Sequence, residues 1–181
     1  MSSTPNTAFR SKIAPYAVKA GKLLGMDPAV IMTQWLYETG DGSNTGTKYN
    51  NLAGVKHTGS SIPEAYTVPS SIHAAYPNLD AFVKDYVRVL NLSYYKGIRA
   101  IAKPGVDPVV AKRAIDASPY AVTDYNQSGW INYYQGAIKA LGSINVAGSG
   151  AETAEKKTLH PCLCPTCPDR PCNLLKDTGG K

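Results

Sequence analysis

From Phe9 to Leu24, apolar residues fall at Phe9, Ile13, Tyr16, Ala17, Ala20 and Leu24, the spacing that gathers them on one face of a helix. Gly25 ends this pattern, and Asp27-Pro28 opens a second helix, with Asp as N-cap and Pro in the first turn. Ile31, Met32, Trp35 and Leu36 continue it to Thr39-Gly40. The stretch from Asp41 to Asn51 is rich in Gly, Ser and Asn and reads as loop. Residues 52–76 hold short β-prone pieces broken by Gly, Ser and Pro, which predicts a small hairpin. The helical period returns after Asn78, at Leu79, Phe82, Val83, Tyr86, Val89 and Leu90. A second Asp-Pro start at Asp107-Pro108 leads a helix over 109–117, and a last one is predicted from about Trp130 to Leu141. Four to six helices with one small β insertion make an α+β domain.

Composition changes near Gly142. GSINVAGSGAETAEKK is rich in Gly, Ala, Ser and charge and reads as a flexible linker. The expected organisation is therefore a catalytic-sized domain over 1–142, a linker over 143–158 and a cysteine-rich tail over 159–181. The tail carries Cys162, Cys164, Cys167 and Cys172, with His160 beside them. Structural zinc usually takes paired C-x2-C elements separated by a longer loop, and four thiols in so short a run are cramped for it. Zinc, two disulfides and unligated thiols stay open as alternatives, and none is needed for the chemistry considered below.

A net charge of +6 favours anionic surroundings. The cations are scattered singly rather than gathered in a stripe, so nucleic acid is not expected as a partner. No run approaches the ~18 apolar residues of a membrane span, so no membrane insertion is expected. The opening MSSTPNTAFRSK lacks the apolar core of a secretory signal peptide. The expectation is a protein made in the cytoplasm, whose access to any substrate outside it needs another route.

Up to Gly150 the chain has two glutamates, Glu38 and Glu64. Glu38 ends the apolar helix PAVIMTQWLYE, where packing against an aromatic ring would strip water from its carboxyl and raise its pKa. A general acid at neutral pH has that property. Glu64 lies in the predicted hairpin, which could fold back towards the helix end. Two carboxyl groups facing across a cleft are the usual equipment of glycoside hydrolysis. A glutamate at a helix end is nevertheless most often only solvated. Asp41 and Asp124 are rival second carboxylates, although Asp in such loops more often serves turn hydrogen bonds. The 12 tyrosines outnumber Phe and Trp together, and Tyr49, Tyr66, Tyr76, Tyr120 and Tyr125 fall outside the helical stripes. Rings with a polar tip suit stacking on sugars, and about half should instead plug the edge of the core.

QWLYETGDGSNTGTKYNNLAGVK resembles the signature of the bacterial glucosaminidases, family 73 of the glycoside hydrolases. Gln34, Glu38, Thr39, Gly40, Gly42 and Ser43, followed by Asn51, Leu52, Gly54 and Lys56, stand at its positions. FRSKIAPYAVKAGKLLGMDPAVI, HAAYPNLDAFVKDYVRVL and SPYAVTDYN resemble the family's flanking elements in the same order, so the likeness runs from about Phe9 to Leu141. It implies a lysozyme-like fold, a helical lobe and a β-hairpin lobe around a groove. It also implies hydrolysis of the GlcNAc–MurNAc strands of peptidoglycan, cutting the bond that follows GlcNAc, without a cofactor. Glu38 stands at the family's catalytic glutamate and Glu64 near its second acid, although the hairpin here reads Ser-Ile-Pro-Glu. Tyr120 matches the tyrosine of the family's Y-A-T-D turn, which here has an extra residue and no Pro. Trp35, Tyr49, Asn51, Tyr66 and Tyr125 are the expected substrate-binding residues.

The expected setting is a monomeric enzyme acting in the periplasm or wall of a target bacterium. It resembles the peptidoglycan-cutting effectors of type VI secretion, which implies a periplasmic immunity protein plugging the groove. A phage lysis or tail-associated enzyme is the alternative delivery context. A catalytically inactive glycan-binding module is the alternative of another class.

Overall fold

The computed structural model describes residues 6–119 and 125–148. They belong to one unit of the chain, Met1–Ala151. The cysteine tail and most of the expected linker lie outside the described residues.

The first helix, α1 (Thr7–Leu24), starts at Asn6, whose side chain accepts the Phe9 amide, and stops at Gly25. Asp27 caps α2 (Pro28–Thr39) through the Ala29 amide, as the Asp-Pro pair predicts. Two short elements follow, the single turn α3 (Thr45–Lys48) and the antiparallel pair β1 (Tyr66–Thr67) and β2 (Ala74–Ala75). Their register sets Tyr66 opposite Ala75 and Thr67 opposite Ala74. Asn78 caps α4 (Leu79–Leu90). A 3-10 turn over Ser93–Tyr95 and a short α5 (Lys96–Ile101) lie in a segment whose sequence pattern had predicted neither. Asp107 caps α6 (Pro108–Asp116).

The last helix, α7 (Gln127–Gly148), runs past the expected boundary at residue 142. Leu141 and Ile144 both pack against the core, so apolar burial carries the helix through Gly142 and Ser143. Glycine and serine weaken a helix by propensity alone, and tertiary contact overrides them.

The centre of the fold is α2. Val30, Ile31, Met32, Thr33, Trp35 and Leu36 have no exposed surface, so the helix is buried almost all round. Helix α1 packs on one side of it and α7 on another, and α4 packs on α1. Trp35 meets Phe82 and Tyr86 of α4 edge-on, with ring centres 5.1 and 5.4 Å away. The mostly helical body with one small β-hairpin is the α+β, lysozyme-like arrangement expected. No described helix is long and apolar enough to cross a membrane.

Candidate active site

Burial of α2 up to Leu36 forces its last turn to emerge at the surface, and Glu38 is carried there, half-buried. Gly40, left-handed at φ 55°, closes the helix by donating its amide to the carbonyls of Leu36 and Tyr37. Asp41 is left-handed too, at φ 57°. Its carboxylate accepts Arg10 Nε at 2.9 Å, Arg10 Nη2 at 2.8 Å and the Asn6 amide at 2.9 Å. The turn after Glu38 is thereby tied to α1, and Asn44 adds a bond from its Nδ2 to the Glu38 carbonyl. With these bonds Asp41 acts as an anchor to the start of α1 rather than through turn hydrogen bonds of its own loop.

Glu38 lies where two hollows meet. The larger, about 620 Å³, is also lined by Tyr37, Lys56, Tyr94, Tyr95 and Tyr125. The smaller, about 230 Å³, is also lined by Asn44, Tyr49, Val68 and Ser71. Together they form a groove between the helices and the hairpin. Tyr125 reaches Glu38 directly, its hydroxyl donating to Oε1. That tyrosine is held by stacking on Trp130 of α7 (5.4 Å, 11°) and by the Tyr37 ring at 4.5 Å. The next amide, Asn126 N, donates to the Tyr37 hydroxyl at 2.7 Å. The last turn of α2 and the start of α7 therefore lock one another around the carboxyl group.

The electrostatics follow from this packing. Burial pushes the Glu38 pKa above the ordinary carboxylate range, because the charged form loses hydration. The Tyr125 hydrogen bond, and then the field of His73, oppose that rise without cancelling it. Burial also pushes the Tyr125 phenol up, helped by the adjacent carboxylate, so it stays a neutral donor. The result is a carboxyl group that keeps its proton to higher pH than a solvated one, beside open space large enough for a sugar.

Several expected site residues are placed elsewhere. Glu64 does not share the groove: it lines a separate hollow with Lys19, Asp80 and Val87, and bonds Lys84 Nζ at 2.9 Å. The hydrogen bond from Lys84 holds its carboxyl below the ordinary range, the opposite of what a proton donor needs. The reason is the shortness of the hairpin: Glu64 precedes β1, on the face of α4 that presents Asp80, Lys84 and Val87, whereas Arg88 and Val89 face the groove. Trp35 is wholly buried under α4 and cannot meet a substrate. Asn51 is buried as a brace, its Nδ2 donating to the carbonyls of Val55 (2.8 Å) and Ala74 (2.7 Å) and its Oδ1 accepting the Val55 amide. This bond set pins the Gly54 turn to the hairpin. Gly54, at φ 61°, brings bare backbone beside Glu38, where an added Cβ would sit 4.0 Å from Oε2. Tyr66 is 50% exposed on β1 and lines neither hollow of the groove. Tyr76 donates to buried Asp85 at 2.8 Å as part of the core.

Tyr49 and Tyr125 do line the groove, as expected. Tyr120 and Asp124 lie outside the described residues. Sequence reasoning missed Tyr94, Tyr95, Arg88 and His73, which line the groove from three different elements with no shared spacing to betray them. Among the described residues, no cluster of His, Cys, Asp or Glu could hold a metal ion. The four tail cysteines lie outside this statement.

The fold has solved counterparts. A peptidoglycan hydrolase from Sphingomonas sp. A1 superposes with a TM-score of 0.56 at 21% identity, over 83% of this chain and 99% of that one. The glycoside hydrolase domain of Salmonella typhimurium FlgJ gives 0.56 at 20% identity, over 81% and 97%. The catalytic domain of the autolysin Auto from Listeria monocytogenes gives 0.52 at 21%, over 78% and 90%. At such identities the likeness is one of fold. No match was found among curated proteins. A family model described as mannosyl-glycoprotein endo-beta-N-acetylglucosaminidase matches residues 14–146, a span that holds α2, its terminal Glu38, the hairpin and Tyr125. With most of the chain covered in sequence and the fold agreeing independently, this protein belongs to the glucosaminidase family of glycoside hydrolases.

Proposed function

We propose that this enzyme hydrolyses the glycan strands of bacterial peptidoglycan, cutting the β-1,4 bond that follows GlcNAc, with Glu38 as proton donor. One observation carries the reading: a half-buried carboxyl group with a raised pKa, held by Tyr125, at the junction of two hollows that a sugar chain would thread. As the bond to the departing oxygen breaks, the sugar gains oxocarbenium character and the oxygen takes the Glu38 proton. Tyr125 donates to the carboxylate left behind, and the Tyr37, Tyr49 and Tyr94 rings offer faces for the flanking sugars. The names of the structural counterparts, a peptidoglycan hydrolase and an autolysin, support this choice of glycan.

The test is digestion of purified peptidoglycan by the wild-type protein and by Glu38→Gln, with fragments identified by mass spectrometry. Fragments ending in reducing GlcNAc, reduced roughly 10²–10⁴-fold in the variant, are expected for loss of a general acid. Fragments ending in reducing MurNAc would overturn the choice of bond. Binding without cleavage, unchanged in Glu38→Gln, would replace the enzyme by a glycan-binding module.

The same proposal extends to use: an antibacterial enzyme delivered to the periplasm or wall of a target cell, opposed in the producing cell by an immunity protein seated in this groove. A protein encoded beside it that binds the enzyme, blocks cleavage and loses affinity when Tyr94 is replaced by Glu would support that extension. A neighbouring holin gene would point to phage lysis instead.

A further inference from the structure

Among the described residues, the two hollows of the groove share three lining residues, Glu38, Gly54 and His73. A glycan running from one hollow to the other passes all three, and Gly54 brings only backbone. Among the described residues, two side chains therefore flank the junction: Glu38 from the end of the central helix and His73 from the hairpin. A positive charge on the His73 ring is felt at Glu38 and favours its carboxylate. Glu64, the expected second acid, is committed to Lys84 in another hollow.

The backbone of His73 is held in place, and its ring is exposed. The His73 amide donates to Ser71 Oγ at 3.2 Å, its carbonyl accepts the Val68 amide across the hairpin at 3.0 Å, and it bridges to Lys56 in the segment that follows the Gly54 turn. The Ala74 amide that follows donates to the Val55 carbonyl at 2.8 Å. On the ring, Nδ1 lies 2.9 Å from the same Ser71 Oγ. That oxygen has two lone pairs, so it can accept from the His73 amide and from Nδ1–H together. This tautomer leaves the lone pair on Nε2, the nitrogen on the far side of the ring from Ser71. A hydroxyl that fixes the ring of a base by its other nitrogen is the arrangement general-base chemistry needs.

We propose that His73 is the second catalytic group, the base that activates the attacking water, with Ser71 as its positioning residue. The proposal rests on the glycan-hydrolase reading of Glu38. Nε2 takes a proton from water as the water oxygen bonds to C1 of the sugar. The C1–O4 bond breaks, its electron pair stays on O4, and the Glu38 proton joins it. Glu38 ends as carboxylate and His73 as imidazolium, and one proton passes from His73 to Glu38 through solvent to restore the site. Because water enters opposite the leaving group, the product inverts at C1.

The test uses the full chain on purified peptidoglycan, comparing wild type, His73→Ala, His73→Gln, Ser71→Ala and Glu38→Gln. Loss of the base lowers kcat roughly 10²–10⁴-fold in both His73 variants, with KM kept within about threefold. Added imidazole restores turnover to His73→Ala and not to Glu38→Gln, a response that a misfolded or merely structural variant does not give. Ser71→Ala loses less than either His73 variant. Proton NMR of the first-formed reducing ends shows the α-anomer. Three results would each overturn the proposal: His73→Ala retaining a third or more of wild-type kcat, no rescue by imidazole, or the β-anomer appearing first. If those arise while Glu38→Gln is inactive, the glycan-hydrolase reading stands and the role of His73 alone falls. Wild-type protein that releases no fragments would overturn the hydrolase reading itself.

Discussion

The largely buried ion pair between Arg10 and Asp41 ties the site to distant packing. Its side chains keep 13% and 8% of their surface, and Asp41 takes two bonds from the guanidinium and one from the Asn6 amide. The guanidinium lies over Gly136 of α7, where an added Cβ would come within 2.8 Å of Arg10 Cζ, so one side chain links α1, α7 and the turn after Glu38. Arg10→Met keeps the apolar stem and removes the charge. Breaking a buried pair costs about 3–5 kcal/mol because the remaining carboxylate is stranded. Residual solvent at this pair reduces that, and about 2–3 kcal/mol is the working figure. For a protein of this size each kcal/mol moves Tm by about 2–4 °C, so a fall of roughly 4–12 °C follows. Asp41→Asn keeps a residue at ease in the left-handed conformation and removes the stranded charge. The double variant should therefore lose less than the two singles added together, a coupling of more than about 1 kcal/mol. Thermal and urea unfolding of the four proteins measure it. A Tm for Arg10→Met within about 2 °C of wild type, or strictly additive losses, would refute the reasoning.

Tyr125→Phe keeps the stack on Trp130 but removes the donor to Glu38. That donor favours the carboxylate, so its loss raises the Glu38 pKa further, and the alkaline fall of kcat/KM should move to higher pH; a shift to lower pH would contradict the assignment. Glu64→Gln removes an exposed carboxylate paired only to Lys84 among the described contacts, so cleavage rate and Tm should match wild type. A loss of activity beyond tenfold in Glu64→Gln, measured on purified peptidoglycan, would return Glu64 to the catalytic machinery.

Much of the framework was legible because local chemistry and burial agree. The Asp27-Pro28 and Asp107-Pro108 starts and the Gly25 and Gly40 stops satisfy backbone groups within a few residues, so their effect does not wait for the rest of the fold. Glu38 was legible for a related reason. A carboxylate closing an otherwise apolar helix must either leave the core or be partly dehydrated at its edge, and the structure places it at that edge.

What surrounds Glu38 was decided by tertiary structure alone. Trp35 precedes it by three residues and looked equally suited to a sugar, yet α4 covers it completely. Asn51 has the polar chemistry of a ligand, but the open carbonyls of the Gly54 turn and of β2 claim its amide. Glu64 and His73 stand nine residues apart on the two sides of a very short hairpin. One pairs with Lys84 outside the groove and the other lines the groove with Glu38, because each lies against a different face of the packed helices. Sequence determines which backbone groups are capped and which helix faces must be buried, since those are local demands. Which polar side chains share a cleft depends on the register of a hairpin against helices distant in sequence, and only the packed fold sets that register.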